Sequence, residues 1–170
     1  MNVLVTGGAG FIPSHIVDRL LKDGHKVTVL DLWESDESKV HNGNSNFEFI
    51  KGDVLNDDLI AQCMEGKDRV IHMAAVLGTA ETITTFDVEK VCTVNIVGTT
   101  KILKAAKKAG VGRVLIPTTP DVPWINPYKI TKAAVEKLCQ LFSIEYDLDV
   151  VALKLGNIYA KRDWGYAKEY

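Results

Sequence analysis

The chain is poor in cysteine and contains no long apolar run. Its 170 residues include three cysteines, Cys63, Cys92 and Cys139, which are odd in number and widely spaced. That pattern predicts reduced thiols in the core or on helix faces, and it excludes a disulfide framework. No apolar run approaches the ~18 residues of a membrane span, and no basic region followed by an apolar segment opens the sequence. We therefore expect a cytoplasmic protein with no membrane partner.

An excess of either charge is also missing. Lys and Arg number 20 and Asp and Glu number 22, which gives a net charge of −2. Because the charges balance, we expect no nucleic-acid partner, no acidic tail and no disorder. None of the four histidines stands at metal-ligand spacing from a cysteine or carboxylate, so we expect no metal. With 46% hydrophobic residues, the chain is long enough for one domain with its own core.

What the sequence does contain is a glycine-rich turn near its start, within residues 6–15. An apolar run precedes this turn and a helical pattern follows it, which is the context of a dinucleotide-binding turn. Gly7 permits the tight turn, and Gly10 lets the backbone approach a pyrophosphate. The free N–H groups at the helix start, at Phe11 and Ile12, favour an anion. An ordinary glycine turn between a strand and a helix is the alternative.

A second signal is Asp31, which lies 21 residues after Gly10 and ends the apolar run 27–30. A carboxylate there can accept hydrogen bonds from an adenosine ribose and repels a 2′-phosphate. Asp31, with Leu32 beside it, therefore predicts NAD over NADP. Pro13 occupies the third glycine position of the motif. Proline is tolerated in the first turn of a helix, but its ring adds bulk next to the expected cofactor.

Apolar runs alternate with helical patterns along the whole chain. One long helix is predicted over residues 88–109, another over 127–146, and a polar loop over 33–46. This alternation predicts an α/β fold, a Rossmann-type doubly wound parallel sheet of about six strands with helices on both faces. In such sheets ligands bind beyond the carboxyl ends of the strands. The candidate residues at those ends are Gly7, Gly10, Asp31, Asp53, Ala74, Ala75 and Thr119.

The chemistry is predicted at Tyr128 and Lys132, which are four residues apart and share one face of a helix. A tyrosine with a pKa of ~10 needs a shift of about three units to act as a base near pH 7. The Lys132 ammonium and a positive nicotinamide ring can supply that shift, because both favour the phenolate. A hydroxyl at the end of the fifth strand, from Thr118 or Thr119, would complete the site by hydrogen bonding to the substrate oxygen.

These motifs together resemble the extended short-chain dehydrogenases/reductases, and specifically the NAD-dependent nucleotide-sugar epimerase/dehydratase family. The matching stretches, in chain order, are Thr6 to Ile12, Asp31, Gly52-Asp53-Val54, His72-Met73-Ala74-Ala75, Asn95-Ile96-Val97-Gly98-Thr99, Pro127-Tyr128 with Lys132, and Gly156-Asn157-Ile158-Tyr159. The segment 160–170 is similar to a substrate loop of the GDP-mannose 4,6-dehydratases. The resemblance thus implies an NAD-binding Rossmann domain at residues 1–159 and the remnant of a substrate-binding segment at 160–170.

The same resemblance implies roles for single residues. Asp53 and Val54 would lie near the adenine, and Ala74 and Ala75 along the cofactor. Lys132 would also hold the nicotinamide ribose. Thr119 would supply the hydroxyl that polarises the substrate oxygen. Asn157 and Arg162 would contact the nucleotide diphosphate of the substrate.

The resemblance further implies an enzyme that oxidises an NDP-sugar transiently at C4. Two departures keep other functions open. Only eight residues separate Thr119 from Tyr128, and Tyr159 runs at once into the 160–170 segment, so most of a substrate domain is missing. The alternatives are a non-catalytic NAD-binding module and a partial chain lacking that domain.

Several residues have plainer interpretations. We expect His72 to be a packed, hydrogen-bonded histidine rather than a base, and Asn95 to tie the long helix to the Tyr128 helix. Asp121 is a turn residue or an acid-base group. In this family two helices of each subunit often build a homodimer. The apolar residues predicted to form that surface are Val88, Val91, Ile102, Leu138 and Phe142.

Overall fold

Six strands form one parallel sheet in the computed structural model, which describes residues 1–77, 87–120 and 125–159. The spatial order is β3-β2-β1-β4-β5-β6, and every neighbouring pair is parallel. This is the order of a Rossmann fold, so the predicted fold class is confirmed. The strands are β1 (Asn2–Thr6), β2 (Lys26–Asp31), β3 (Phe47–Lys51), β4 (Arg69–His72), β5 (Arg113–Thr118) and β6 (Val150–Lys154).

The helices connect these strands on both faces of the sheet. In chain order they are α1 (Phe11–Lys22), α2 (Asp36–Lys39), α3 (Asp57–Met64), α4 (Val88–Cys92), α5 (Thr99–Lys108) and α6 (Pro127–Glu145). The short α2 lies inside the segment predicted as a polar loop, which corrects that prediction. Ser35 caps its N-terminus by accepting a hydrogen bond from the Ser38 N–H, and hydrophobic periodicity does not reveal such a local cap.

The single helix predicted over residues 88–109 is interrupted. Between α4 and α5 the backbone widens into a π-helical turn, Thr93–Gly98. The hydroxyls of Thr99 and Thr100 donate to the carbonyls of Asn95 and Ile96, four residues earlier. The helical extent was therefore predicted correctly and its regularity was not. A π-turn re-aims side chains, and such turns often occur at functional sites.

Two apolar clusters lie on opposite faces of the sheet. Neighbouring β1 residues divide between them, with Leu4 in the larger cluster and Val3 and Val5 in the smaller one, because side chains alternate along a strand. Val17 of α1 covers the smaller cluster, and residues of α3, α5 and α6 cover the larger one. The described structure holds Cys63 and Cys139 as free, buried thiols, in agreement with the prediction.

The apolar surface predicted for dimerisation is wrong at most of its positions. Val91, Ile102 and Phe142 are buried in the core, and Leu138 packs against it. They lie on the inner faces of helices that cover a parallel sheet, and that sheet face needs their apolar area. Val88 alone of the five is more than half exposed.

Candidate active site

The glycine turn after β1 requires glycine at position 7. Gly7 has a φ of +67°, and a Cβ there would stand 2.6 Å from the backbone nitrogen of Ala74. The Gly7 N–H donates to the Leu30 carbonyl at 2.8 Å. The turn is therefore held against β2 and touches the chain that follows β4, as the tight turn predicted from the sequence requires.

Two unpaired donors stand at the start of α1. The Ser14 N–H donates to the Gly10 carbonyl at 3.0 Å, and Pro13 has no N–H to satisfy. The N–H groups of Phe11 and Ile12 have no acceptor within the described parts of the chain. Because a helix N-terminus also carries partial positive charge, this donor pair fits the pyrophosphate of a dinucleotide.

Gly10 lies beside these donors in close contact with Gly7 and Pro13. A Cβ at Gly10 would lie 3.3 Å from the Gly7 carbonyl oxygen and 3.4 Å from the Pro13 Cγ. The fold could accept that methyl group with a slight adjustment, so packing alone does not require glycine here. Pro13 lies buried in the first turn of α1, as predicted, with its ring next to Gly10.

Asp31 ends β2 and holds the glycine turn in place. Its Oδ2 accepts a hydrogen bond from the Ala9 N–H at 3.0 Å, and its Oδ1 accepts one from the Leu32 N–H at 2.7 Å. Burial raises the pKa of this carboxyl above its usual value, while these backbone donors act to lower it. A carboxylate has further lone pairs, so contact with a ribose stays compatible with both bonds. The bond to Ala9 was not foreseen.

Asp53 and Val54 follow β3. The Asp53 Oδ1 accepts a hydrogen bond from the Leu55 N–H at 3.0 Å, so this carboxylate caps the turn after the strand. Val54 is buried, and a Cβ on Gly98 would lie 3.2 Å from its Cγ2. Their contact with an adenine stays a prediction.

Tyr128 and Lys132 occupy the first turns of α6. The Lys132 Nζ donates to the Pro117 carbonyl at 3.0 Å and lies 5.6 Å from the centroid of the Tyr128 ring. Lys132 is 6% exposed, and burial lowers its pKa to about 8. Burial also raises the pKa of Tyr128, in the direction opposite to that needed by a base. The pair is brought together as predicted, while its tuning of Tyr128 stays a prediction.

The two threonines after β5 differ in burial. Thr118 is the last residue of β5, and its buried hydroxyl has no hydrogen-bond partner among the described residues. Thr119 follows the strand and is half-buried. Side chains alternate along a strand, so the two hydroxyls are directed differently, and assignment of the polarising hydroxyl to Thr119 stays a prediction.

Asn95 ties the π-helical turn of the long helix to α6, as predicted, and it also binds the segment after β4, which was not foreseen. Its Oδ1 accepts from the Val76 N–H at 2.8 Å, and its Nδ2 donates to the Val76 carbonyl at 3.0 Å. The same Nδ2 donates to the Thr131 Oγ1 at 3.0 Å, and Thr131 in turn donates to the Tyr128 carbonyl at 2.8 Å. Ala74 and Ala75 therefore lie on a segment that is fixed to the helix of Tyr128.

His72 is buried and hydrogen bonded, as expected. Its Nδ1 lies 2.6 Å from the Thr6 Oγ1, and its Nε2 lies 3.0 Å from the Thr99 Oγ1. Burial, with a smaller effect from Lys132, lowers the pKa of His72 to about 3, so the ring is neutral. The partners Thr6 and Thr99 were missed, although each belongs to a motif that the sequence displays.

The substrate residues are the least defined. Asn157 lies exposed after β6, and neither Arg162 nor Asp121 belongs to the described residues. In the parts of the chain that the structure describes, no three His, Cys, Asp or Glu side chains are grouped to hold a metal ion. Within the same parts, no helix has the length and apolar character needed to span a membrane.

Comparisons with known proteins give the site a context. The family model described as NAD dependent epimerase/dehydratase matches residues 3–170. A UDP-glucose 4-epimerase from Mycolicibacterium smegmatis is 36% identical over 95% of this chain and 58% of its own length. The chain thus spans less than two thirds of that relative.

Solved structures agree with this result. A UDP-glucose 4-epimerase from Thermotoga maritima, crystallised with UDP-glucose, has a TM-score of 0.84 at 30% identity, over 98% of this chain and 59% of its own. The enzyme of that name from Thermus thermophilus, in complex with NAD, has a TM-score of 0.81 at 30% identity, over 95% of this chain and 57% of its own. The predicted family and the NAD class of cofactor are confirmed: the chain belongs to the NAD-dependent epimerase/dehydratase family.

Proposed function

We propose that residues 1–159 bind NAD and that the protein acts on a nucleotide-diphosphate sugar by transient oxidation at the sugar C4. The observation that carries this proposal is the pair of unpaired backbone N–H groups of Phe11 and Ile12 at the start of α1. The same sheet supports α6, which holds Tyr128 next to Lys132. The two N–H groups fit a pyrophosphate. Tyr128 and Lys132 supply a base and a cation, the groups that an alcohol oxidation needs.

Each side chain has a defined task in this proposal. The Tyr128 oxygen takes the proton of the C4 hydroxyl, and the Thr119 hydroxyl donates a hydrogen bond to the same sugar oxygen. Lys132 favours the phenolate form of Tyr128 and binds the nicotinamide ribose. When bound, NAD supplies the acceptor for the hydride that leaves C4. Asp31 selects NAD by excluding a 2′-phosphate, with Leu32, Asp53, Val54, Ala74 and Ala75 lining the cofactor.

The sugar nucleotide is bound in this proposal by Asn157 and Arg162 through its diphosphate. UDP-glucose is the first candidate, because the similar proteins from Mycolicibacterium smegmatis and Thermotoga maritima are named for it. Epimerisation and dehydration start with the same oxidation step, so both products should be sought in a screen of UDP-, GDP- and dTDP-sugars.

Cofactor binding is tested by titrating the protein with NAD in a calorimeter, for wild type and Gly10→Ala. The fold tolerates a methyl group at this position, but that group would stand where the pyrophosphate approaches. We expect wild type to bind NAD and Gly10→Ala to bind at least about tenfold more weakly, the loss of roughly one good hydrogen bond. An unfolding curve of the variant provides the control. Equal binding by both proteins would contradict the proposed site.

A non-catalytic NAD-binding module is the second candidate. The chain spans 58% of the length of the Mycolicibacterium relative, and Gly156, Asn157, Ile158 and Tyr159 are all exposed. An enclosed sugar site would need further covering groups there. NAD binding without conversion of any sugar in the screen would favour this candidate over the enzyme.

We propose in addition that the chain forms a homodimer through α6. One face of this helix exposes apolar residues at spacings of three and four, which place them in a single stripe. The stripe consists of Ile130, Ala133, Leu141 and Ile144, with the exposed Lys137 between its two halves. A stripe of this kind on a helix commonly packs against another helix.

A further inference from the structure

A directional chain of hydrogen bonds runs through the protein interior beneath the proposed cofactor site. The Ala74 N–H donates to the Thr6 Oγ1 at 3.4 Å, and Thr6 contacts the His72 Nδ1 at 2.6 Å. On the other side of the imidazole, the Nε2 contacts Thr99, whose hydroxyl donates to the Asn95 carbonyl at 2.6 Å. The side chains of Thr6, His72, Asn95 and Thr99 are all at most 2% exposed.

The partners fix which nitrogen of His72 carries the proton. Thr99 has one hydroxyl proton, and the Asn95 carbonyl takes it, so the Thr99 oxygen must accept from His72. The His72 Nε2 therefore carries the proton and its Nδ1 accepts from Thr6. When each donor in a chain of hydrogen bonds has its own acceptor, the chain has one direction. The loss of one such bond in the protein interior leaves a buried polar group unpaired, which costs free energy.

This chain connects the two halves of the proposed site. At one end, Thr6 precedes Gly7, whose missing Cβ leaves room for Ala74 at 2.6 Å. At the other end, Asn95 donates to Thr131, which donates to the carbonyl of Tyr128. The glycine turn and the helix of Tyr128 are thus linked through one imidazole.

We infer that His72 is a positioning residue, which sets the glycine turn and the Ala74 segment relative to the Tyr128 helix through Thr6, Thr99 and Asn95. This inference rests on the proposed function, because its consequence is tighter binding of NAD by a pre-ordered site. His72 does not touch the cofactor or the substrate in this account.

The test breaks the chain at Thr99. Thr99→Val keeps the shape but removes the hydroxyl, and Thr99→Ser restores it. Thr28→Val is the matched control, since Thr28 is also a buried threonine whose hydroxyl makes one side-chain bond, to Glu48 at 3.1 Å. In calorimetry we expect Thr99→Val to weaken NAD binding about tenfold, the fold-change of one hydrogen bond. Thr99→Ser and Thr28→Val should bind like wild type. Where Thr99→Val does not fold, Thr6→Val breaks the chain at its other end.

Two results would overturn the inference: wild-type affinity in Thr99→Val, or an equal loss in Thr28→Val. If wild type itself does not bind NAD, the proposed function fails, and ¹⁵N NMR of the free protein decides the inference separately. The imidazole nitrogen shifts should then report an Nε2–H tautomer in wild type. Thr99→Val, but not Thr28→Val, should change those shifts together with the amide signals of Ala74 and Thr131. Unchanged signals would exclude the positioning role.

Discussion

At the scale of single residues, burial disfavours the charge of Lys132. Lys132 is nearly fully buried, its ammonium donates to the Pro117 carbonyl, and no carboxylate lies within ion-pair distance among the described residues. Its pKa falls from 10.5 to about 8, which corresponds to about 3 kcal/mol. A charge kept at such a cost is typical of a functional site.

Replacement of Lys132 by methionine should stabilise the protein near neutral pH. The folded-state pKa lies below the unfolded one, so the unfolded chain binds more protons between them. Wild-type stability should therefore be lowest below about pH 8 and rise as the pH increases toward about 10.5. We expect Lys132→Met to raise the free energy of unfolding by about 1–3 kcal/mol at about pH 7 and by less at about pH 10. Urea unfolding measures this free energy, with Lys104→Met, at an exposed lysine of α5 outside the α6 stripe, as control. Destabilisation at neutral pH would contradict the account.

Asp31 should decide the choice between NAD and NADP. Asp31→Asn removes the charge but keeps an oxygen that can accept from the Ala9 N–H. We therefore expect the preference for NAD over NADP to fall by roughly tenfold, since 1.4 kcal/mol of lost repulsion has that effect. Calorimetry with both cofactors measures it. Wild-type protein that binds NADP as tightly as NAD would remove the argument from Asp31.

Sequence spacing predicted which residues of the site share an element, but not the contacts between elements. Tyr128 and Lys132 are four apart, and helix geometry alone places them together. The bond from Ala9 to Asp31 joins residues 22 positions apart, and the bond from Thr6 to His72 joins residues 66 apart. Such pairs depend on strand order and register, which a single sequence does not reveal.

At the scale of elements, the strands were predictable because each is an apolar run or, in β3, an alternating pattern, bounded by turn residues. The π-helical turn was not, because widening by one residue leaves the apolar periodicity of residues 88–109 nearly unchanged. The first turn of α1, from Phe11, holds Pro13 and Ser14, which are poor residues for a helix interior but suit a helix N-terminus.

Pro13 offers a test of the first turn of α1. Its ring lies next to Gly10, where the pyrophosphate is proposed to approach. If that bulk strains the turn, Pro13→Ala should tighten NAD binding by several-fold, on the order of the 1 kcal/mol of a strained local contact. Calorimetry gives the affinity, and an unfolding curve shows whether the variant remains folded. A folded variant with unchanged or weaker affinity would show that the ring does not crowd the cofactor.

At the scale of the whole molecule, the sheet order followed from general rules. Alternating strands and helices with right-handed crossovers allow few topologies, and the glycine turn after the first strand favours the Rossmann one. The outer surface was predicted poorly, because an amphipathic pattern does not say which apolar residues a sheet will cover. Val91 and Ile102 were expected outside and lie in the core.

The corrected surface predicts how the dimer should respond to substitution. Ile144 is 76% exposed on the α6 stripe, and Val40 is 72% exposed elsewhere on the molecule. Ile144→Lys should shift sedimentation from dimer to monomer, because an unpaired charge in an apolar helix contact costs several kcal/mol. Val40→Lys should leave the dimer intact. If sedimentation shows only monomeric wild-type protein at concentrations on the order of tens of micromolar, the proposed interface is excluded.

The most direct test of the central claim is the NADH absorbance that develops when NAD-loaded protein is mixed with UDP-glucose, compared between wild type and Tyr128→Phe. The substitution deletes one oxygen, so NAD affinity should stay nearly the same. The rate of NADH formation should fall by roughly 10²–10⁴-fold, the usual contribution of a general base. A rate that survives Tyr128→Phe would contradict the assignment of Tyr128 as the base.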